Sequence, residues 1–390
     1  MAGRGEPGGG DGAEEVTGGM RPGSGTRTEY QELIDEVCAL LGTPATLEGR
    51  DFGLIAFGAH DSADDRVMDP VRTRSILNRR STPAVREWFE SFGIATAREP
   101  VRIPPEPAAG VLTGRICLPV RHGPVVYGYI WLLDDGAVTL DDPRLAAAMA
   151  TAGRIGALLA ADTRAGARVG ELLRAALDDG GPGPAGELAA ALGPGAQGAL
   201  TVVAVVEWPT ADDVPAAPPG ALALCAMPRG ARGPGALAAL VRPGAARSVG
   251  ERLRGRSAAG IGGARRGVNE LPGAWREALA AGRAARAERR FGPVAAWADL
   301  GPYRLLTALP AGEPDPAVAP LLADEHRELA RTAEAFLDHA GQATRTADAL
   351  AIHRQTLYYR LSRIERLTGL DLTDGEDRLL LHMSLKAARL

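Results

Sequence analysis

The stretch ATRTADALAIHRQTLYYRL, residues 343–361, predicts two short helices joined by a tight corner. Apolar side chains recur at helical spacing along this stretch and beyond it, so each helix has one side suited to burial. These positions are Ala347, Leu350, Ile352, Leu357, Leu361, Ile364 and Thr368. The pattern predicts a helix-turn-helix whose second helix packs one face against a neighbour.

The opposite side of the second predicted helix carries hydrogen-bonding and cationic groups. At about 100° per residue, Gln355, Tyr359, Ser362, Arg363 and Arg366 fall on this side. Such a surface is typical of a recognition helix that enters the major groove of double-stranded DNA. With the corner and the first helix included, the predicted DNA contacts are Arg345, His353, Arg354, Gln355, Thr356, Tyr358, Tyr359, Arg360, Arg363 and Arg366.

The residue types in this set match the groups that DNA presents. Arginine can pair with guanine or neutralise a phosphate, and Gln355 can pair with the edge of adenine. His353 and Arg354 lie at the corner, where free backbone N–H groups and the helix dipole favour a phosphate. Residues 341–370 contain five arginines and two acidic residues, which leaves a local formal charge of +3, whereas the whole chain has −4. From periodicity alone, a solvated basic face remains an alternative to a DNA contact.

A longer run of sequence resembles the carboxyl-terminal helix-turn-helix of the PucR/CdaR family of bacterial transcription regulators. The residues that carry the resemblance are Ala347, Leu350, Ile352, His353, Arg354, Thr356, Leu357, Tyr359, Arg360, Leu361, Ile364, 367–372 and 377–379. The resemblance implies a sequence-specific DNA-binding regulator. The resemblance is to regulators of the actinobacterial type. Arginine and alanine abound while lysine occurs once, which is the codon usage that a GC-rich genome imposes.

The predicted carboxyl-terminal domain comprises residues 320–390. Its first helix is expected at 328–339, with Leu329, Ala333, Phe336 and Leu337 inward. Asp374 is expected to cap the last helix. In that helix the residues expected to pack inward are Leu379, Leu380, Met383 and Leu385.

The chain of 390 residues is long enough for two or three domains. Three scattered cysteines indicate neither a disulfide framework nor a zinc site, and a cytoplasmic location is expected. Residues 1–28, rich in glycine and acidic residues, are expected to be a disordered tail without the apolar core of a secretory signal. No apolar run approaches the ~20 residues of a membrane-spanning helix, so no membrane partner is expected.

Residues 29–163 are predicted to form a GAF/PAS-like sensor domain in a multidomain α+β protein. Helix 29–41, strand 52–57, helical material at 71–92, a hairpin of 115–121 with 125–133, and a helix at 143–161 follow the order of such a fold. A ligand pocket is predicted at Ile116, Leu118, Tyr127, Tyr129 and Trp131, with core packing of the same residues as the stronger alternative. His60, Asp61, Asp64 and Asp65 are interpreted as a solvated acidic loop.

Residues 164–310 are predicted to form a linker helix, at 165–177, and a second α/β domain. The apolar run 199–206 indicates a buried strand, and 221–227 and 235–241 indicate weaker, alanine-rich strands. Gly260–Gly263, the segment 271–278, Val294, Asp299–Gly301 and 303–306 resemble the GGDEF-like middle domain of the same family. The Gly-Gly pair is followed by Ala264, Arg265 and Arg266 instead of an acid and Phe, so the resemblance implies a degenerate scaffold.

The sequence predicts no enzyme, no catalytic residues, no metal site and no cofactor. Phosphate-loop, nucleophile-elbow and paired-histidine zinc motifs are missing from the sequence, and His326, His339, His353 and His382 have no ligand spacing. A homodimer or higher oligomer is expected because one helix-turn-helix makes few base contacts. The hypothesis includes a small-molecule effector or a partner sensed by the amino-terminal domain. The alternative is a signalling protein or cyclic-nucleotide enzyme whose basic helix binds an acidic partner.

Overall fold

The computed structural model describes residues 27–58, 83–107, 111–134, 136, 138–179, 181–209, 214–229, 235–309 and 314–390. The chain divides into two units, Met1–Val169 with Ala190–Gly195, and Gly170–Ala189 with Ala196–Leu390. The mixed α and β architecture with an all-helical carboxyl end is confirmed. Most of the expected tail and the acidic loop at 60–65 lie outside the described residues, although residues 27 and 28 already belong to the first helix.

The first unit is built on a five-stranded antiparallel sheet. Its elements are α1 (Arg27–Leu41), β1 (Ala45–Gly49), β2 (Leu54–Phe57), α2 (Pro83–Glu90), β3 (Val101–Ile103), β4 (Gly114–His122), β5 (Val125–Asp134) and the first part of α3 (Pro143–Asp179). The strand order is β2-β1-β5-β4-β3. The predicted hairpin of β4 and β5 is confirmed, with Ile116 opposite Leu132 and His122 opposite Val125.

Two local features of this sheet differ from the sequence prediction. Strand β1 was not expected, and it lies centrally between β2 and β5. The strand expected from residue 52 begins only at Leu54, because Phe52 has a φ of 60° in the turn between β1 and β2. Of the helical material expected at 71–92, residues 71–82 lie outside the described residues, and α2 begins at Pro83.

The two faces of the sheet have separate cores, because successive side chains of a strand point to opposite sides. Ile116 and Leu118 pack on one face with α1 and α3. Tyr129 and Trp131 pack on the other face with Phe52 and Phe89 of α2. Four of the five residues predicted to line one pocket are therefore divided between two cores. The fifth, Tyr127, is half-buried beside the register shift at Val120 and Arg121.

Helix α3 is 37 residues long and combines the helix expected at 143–161 with the linker helix expected at 165–177. In the first unit, the inward side of α3 is buried in the core at Leu145, Ala148, Ala152 and Ile155. By length and composition it is also the one described helix that could cross a membrane. Its buried stripe is that of a core helix packed on a sheet.

Glycine permits a close contact between α3 and the sheet. A Cβ at Gly156 would lie 2.0 Å from the carbonyl oxygen of Arg121 on β4, whereas a Cβ at Gly153, one turn earlier, would meet no atom within 4 Å. Only a residue without a side chain therefore fits at position 156.

The second unit contains an α/β domain and the helical carboxyl-terminal domain. The elements of the α/β domain are the first part of α4 (Pro182–Leu192), β6 (Thr201–Val206), β7 (Ala221–Met227), β8 (Ala236–Val241), α5 (Ala246–Leu253), β9 (Ala259–Ile261), α6 (Leu271–Ala287), β10 (Val294–Ala296) and α7 (Tyr303–Leu306). The strand order is β10-β9-β6-β8-β7, and only β9 and β10 pair in parallel. The predicted strands β6, β7 and β8 are confirmed, whereas α4 and α5 were not expected.

The helical domain consists of α8 (Arg327–Asp338), α9 (Ala343–Leu350), α10 (Arg354–Thr368) and α11 (Gly375–Ala387). Asp374 caps α11 as predicted, since its carboxylate accepts the N–H groups of Glu376 and Asp377 at 2.8 and 3.1 Å. The inward face expected for α11 was wrong at one position. Leu379 is 60% exposed and Leu381 is buried in its place, because Leu381 lies four residues before the buried Leu385.

The contact at Gly156 leads to the first prediction. Gly156→Ala should lower the free energy of unfolding by about 1–3 kcal/mol, since the added methyl overlaps the backbone of β4. Gly153→Ala, in the same helix, should raise it by about 0.5 kcal/mol through its better helix propensity. Urea unfolding of the full chain, followed by circular dichroism, measures both. Equal stabilities of the two variants would contradict the close contact.

Candidate DNA-binding surface

The corner of the helix-turn-helix is formed by Ala351, which ends α9 in the left-handed conformation with a φ of 52°. The backbone N–H of Ile352 donates to the carbonyl of Ala347 at 3.0 Å, and that of Ala351 donates to Asp348 at 3.1 Å. These bonds satisfy carbonyls that would otherwise be left open at the end of α9. The chain turns sharply here without a glycine.

His353 caps the start of α10. Its Nδ1 accepts the backbone N–H of Gln355 at 3.3 Å, and its own carbonyl accepts the N–H of Leu357 at 3.1 Å. The ring must leave Nδ1 unprotonated to accept this bond. In the structure His353 thus stabilises the beginning of the recognition helix, a role that the sequence prediction did not assign to it.

The inward face of α10 agrees with the predicted stripe. Leu357 and Ile364 are fully buried, and Leu361 and Thr368 are nearly so. Leu357, Leu361 and Ile364 share one core with Leu329, Ala333 and Phe336 of α8. Gly369, with a φ of 72°, ends α10 in the left-handed conformation that favours glycine.

The outward face of α10 presents most of the predicted contact residues to solvent. Arg345 on α9 is also exposed. Tyr358 and Tyr359 expose 52% and 62% of their surface, which is unusual for large aromatic rings. The exposed residues of α10 on this side are Arg354, Gln355, Thr356, Tyr358, Tyr359, Ser362, Arg363 and Arg366.

The exposed arginines of this surface keep their charge available. Among the described residues, none of Arg345, Arg354, Arg363 and Arg366 forms an ion pair. Arg366 donates from Nε to the carbonyl of Ser362 on its own helix, at 3.2 Å. The surface is therefore an uncompensated cationic patch next to hydroxyl and amide groups, suited to a polyanion.

Arg360 points away from this surface. Its Nη1 donates to Oγ1 of Thr332 at 3.1 Å and lies 3.5 Å from the carboxylate of Glu328, both on α8. Position 360 lies three residues after Leu357 and four before Ile364, so helical geometry places it beside the buried stripe. Arg360 links the recognition helix to α8. The same helical spacing places Thr332 on the buried side of α8, so the sequence could also have indicated Thr332 as a partner of Arg360.

The four histidines without ligand spacing, His326, His339, His353 and His382, contact different groups. His339 contacts the carbonyl of Ala335 through Nδ1, and His382 contacts Asp338 through Nε2. Within the part of the chain that the structure describes, no group of three or more His, Cys, Asp or Glu side chains is arranged to hold a metal ion.

Residues 329–387 match the PucR C-terminal helix-turn-helix domain. The chain is 51% identical over 63 residues to the carbohydrate diacid regulator of Escherichia coli K12, a match that covers 16% of each protein. It is 49% identical over 49 residues to the transcriptional activator PmfR of Paenarthrobacter nicotinovorans, covering 13% of this chain and 10% of that one. The chain thus spans less than a fifth of the length of these two relatives.

A solved structure, the regulator of polyketide synthase expression from Bifidobacterium adolescentis, superposes with a TM-score of 0.26 at 21% identity, over 58% of this chain and 93% of that one. That superposition adds no support to the assignment. The resemblance to the PucR/CdaR regulators is confirmed by the matches to the helical domain. The carboxyl end of the chain is a PucR-type helix-turn-helix, a DNA-binding domain of transcription regulators.

The left-handed residue at the corner leads to a second prediction. Ala351→Gly should raise the free energy of unfolding of the helical domain by about 1 kcal/mol, because glycine adopts a positive φ without the clash of a Cβ. Ala349→Gly, two residues earlier inside α9, should lower it by about 1 kcal/mol. Chemical denaturation of both variants tests the sign, and a loss of stability in Ala351→Gly would contradict the corner.

The buried stripe leads to a third prediction. Leu357→Asp places a carboxylate at a fully buried position and should unfold the helical domain, since an unpaired charge costs several kcal/mol in an apolar core. Tyr358→Asp, at the adjacent exposed position, should leave the domain folded. Hydrogen exchange at the amides of α10 distinguishes the two. A protected α10 in the Leu357→Asp protein would show that the face was assigned wrongly.

Proposed function

We propose that this chain is a sequence-specific regulator of transcription that binds double-stranded DNA as a cytoplasmic homodimer or higher homo-oligomer. The observation that carries the proposal is the uncompensated cationic face of α10, opposite its buried leucines, in a PucR-type helix-turn-helix. Two copies would read half-sites about 34 Å apart.

The proposed DNA contacts follow from exposure. Arg363 and Arg366 are placed to pair with guanine or phosphate, and Gln355 to pair with adenine. Arg345, Arg354, Thr356, Tyr358 and Tyr359 are proposed as phosphate or groove contacts. His353 and Arg360 are left out of this set. Their side chains are used by the cap of α10 and by its link to α8.

For the α/β domain we propose a degenerate GGDEF-like scaffold without enzymatic activity. A Cβ at Gly262 would lie 2.1 Å from the carbonyl oxygen of Ala274, so this glycine allows α6 to approach the end of β9. The backbone N–H of Gly263 donates to Glu277 at 2.7 Å, and Arg265 pairs with the same carboxylate at 2.6 Å. The Gly-Gly pair therefore has a packing and hydrogen-bonding role, and the carboxylate beside it, Glu277, is already engaged by Gly263 and Arg265.

For the first unit we propose a GAF/PAS-like sensor. Support comes from its antiparallel sheet, covered by α1 and α3 on one face and by an aromatic core with α2 on the other. An effector or partner bound here would act on the DNA-binding domains only if its affinity differed between two arrangements of the protein. Because the predicted pocket residues are divided between two cores, the sheet face that carries Tyr129, Trp131 and α2 is a better place to search for a ligand than the five-residue pocket.

A fourth prediction concerns Arg363 on the outward face of α10 and Arg360 on its inward side, which should differ in their effect on DNA binding. Selection from random duplexes should first yield a preferred sequence. If Arg363 contacts a phosphate, Arg363→Ala should then weaken binding and lower the slope of log K against log salt by about 0.9. If Arg363 contacts guanine, the same substitution should reduce the discrimination between bases at one position by about 1–3 kcal/mol. Arg360→Ala should lower stability and leave the salt slope unchanged.

Fluorescence anisotropy at several salt concentrations measures both variants. An unchanged affinity and slope in Arg363→Ala would reject its role at the interface. If the wild-type protein shows no preference for any duplex and binds acidic polypeptides equally well, the basic helix serves a protein partner and the regulator proposal fails.

A further inference from the structure

The helical domain is joined to the α/β domain by a charged contact centred on Arg389. Its guanidinium donates to Glu288, with Nε 3.1 Å from Oε1, and to Glu334, with Nη1 and Nη2 each 2.6 Å from a carboxylate oxygen. Glu288 directly follows the end of α6, whereas Glu334 lies on α8. One side chain thus connects the two domains of this unit.

The position of Glu288 at the end of α6 favours pairing with a cation. Glu288 is the C-cap of α6, where the helix dipole disfavours negative charge, and its side chain is only 17% exposed. Arg389 supplies the missing positive charge. On the other side, burial alone would raise the pKa of Glu334, but hydrogen bonds from Arg389 and Lys386 outweigh burial and lower it. The charge of Glu334 is therefore stabilised where it meets Arg389.

Apolar contacts accompany the ion pairs. Met383 and Leu390, from the helical domain, pack against the α/β core that contains Ala281 and Ala284 of α6 and the buried Tyr303 and Leu306 of α7. The contact thus combines apolar packing with a bidentate arginine, whose paired hydrogen bonds fix the orientation of the two groups.

Helix α8 extends the connection to the recognition helix. Glu334 on α8 holds Arg389, and Thr332, two residues earlier, receives Arg360 of α10. The shared core of Phe336, Leu357 and Ile364 fills the space between the two helices. The α/β domain, α8 and α10 are therefore held together by consecutive contacts.

This docked arrangement leaves the cationic face open. Tyr359, Arg363 and Arg366 stay exposed while Met383 and Leu390 face the α/β domain. The contact does not block the DNA-binding surface, so it is compatible with the DNA-bound state.

We propose that Arg389 is a positioning residue for DNA recognition, which holds the recognition helix at a fixed place relative to the α/β domain and so sets the half-site spacing that an oligomer accepts. The inference rests on the proposed function. Once one copy in an oligomer is bound to DNA, the second copy binds its half-site as an intramolecular step. A rigid connection between the α/β domain and the helical domain favours this step at one half-site spacing, whereas a loose connection allows it at many spacings.

The test uses the full chain and duplexes that carry either one selected half-site or two, with the second shifted by half a helical turn, about 5 base pairs. The wild-type protein should bind the best two-site duplex at least ~10-fold more tightly than the shifted duplex. In Arg389→Ala and Glu288→Gln this ratio should fall below ~3-fold, with half-site affinity within ~2-fold of wild type. Arg389→Lys should restore part of the spacing preference, since it keeps one ion pair.

The matched control is Arg286→Ala, which removes an ion pair between α6 and Glu207 inside the α/β domain. It should keep the wild-type spacing preference. Urea unfolding checks that each variant is folded, and Glu288→Gln leaves the contacts of Glu334 with Lys386 intact if Arg389→Ala proves unstable.

The outcomes separate this inference from the function on which it rests. A wild-type spacing preference that survives in both Arg389→Ala and Glu288→Gln overturns the inference and leaves the regulator proposal standing. An equal loss of affinity for half-site and two-site duplexes also overturns it, because the residue would then act only on stability. A wild-type protein that binds no duplex overturns both.

Discussion

Burial of Leu357, Leu361 and Ile364 against α8 determines which side of α10 can meet a partner. Once one side of a helix is in a core, its period of about 3.6 residues fixes the positions that face solvent. Here these positions hold Gln355, Arg363 and Arg366, and the exposed tyrosines lie beside them. The proposed DNA-binding surface is thus a consequence of apolar packing, and a shift of the buried stripe by one residue would rotate the arginines away.

The remaining parts of the second unit support this arrangement through close backbone contacts. Gly260 and Gly262 let α6 lie directly on β9, since a Cβ at either position would fall within about 2 Å of backbone atoms of α6. This packing holds α6 in place on the sheet, and so positions Glu288, at its end, next to Arg389. Gly260 and Gly262 thereby help to position the ion pair of Glu288 with Arg389.

The sequence predicted the helical domain closely, because strong periodicity and cap residues such as Asp374 coincide there. The hairpin β4–β5 was found for the same reason, with alternation and a turn in agreement. The short strand β1 was missed. Its sequence ATLEG contains a buried Glu48, whose carboxylate accepts a hydrogen bond from Trp131, so burial depends on a partner 83 residues away. The division of Ile116 and Leu118 from Tyr129 and Trp131 between two sheet faces depends on strand register, which composition does not reveal. The place of Arg360 beside the buried stripe follows from its spacing to Leu357 and Ile364.

Lys386 is the only lysine of the chain, and it bonds to Glu334 at 3.0 Å and to Asp338 at 3.3 Å beside the contact between the two domains. Acylation of its amine would remove the charge and leave both carboxylates with one donor fewer. Amine-directed chemistry therefore has a single side-chain target in this protein, at the junction where the DNA-binding domain is held.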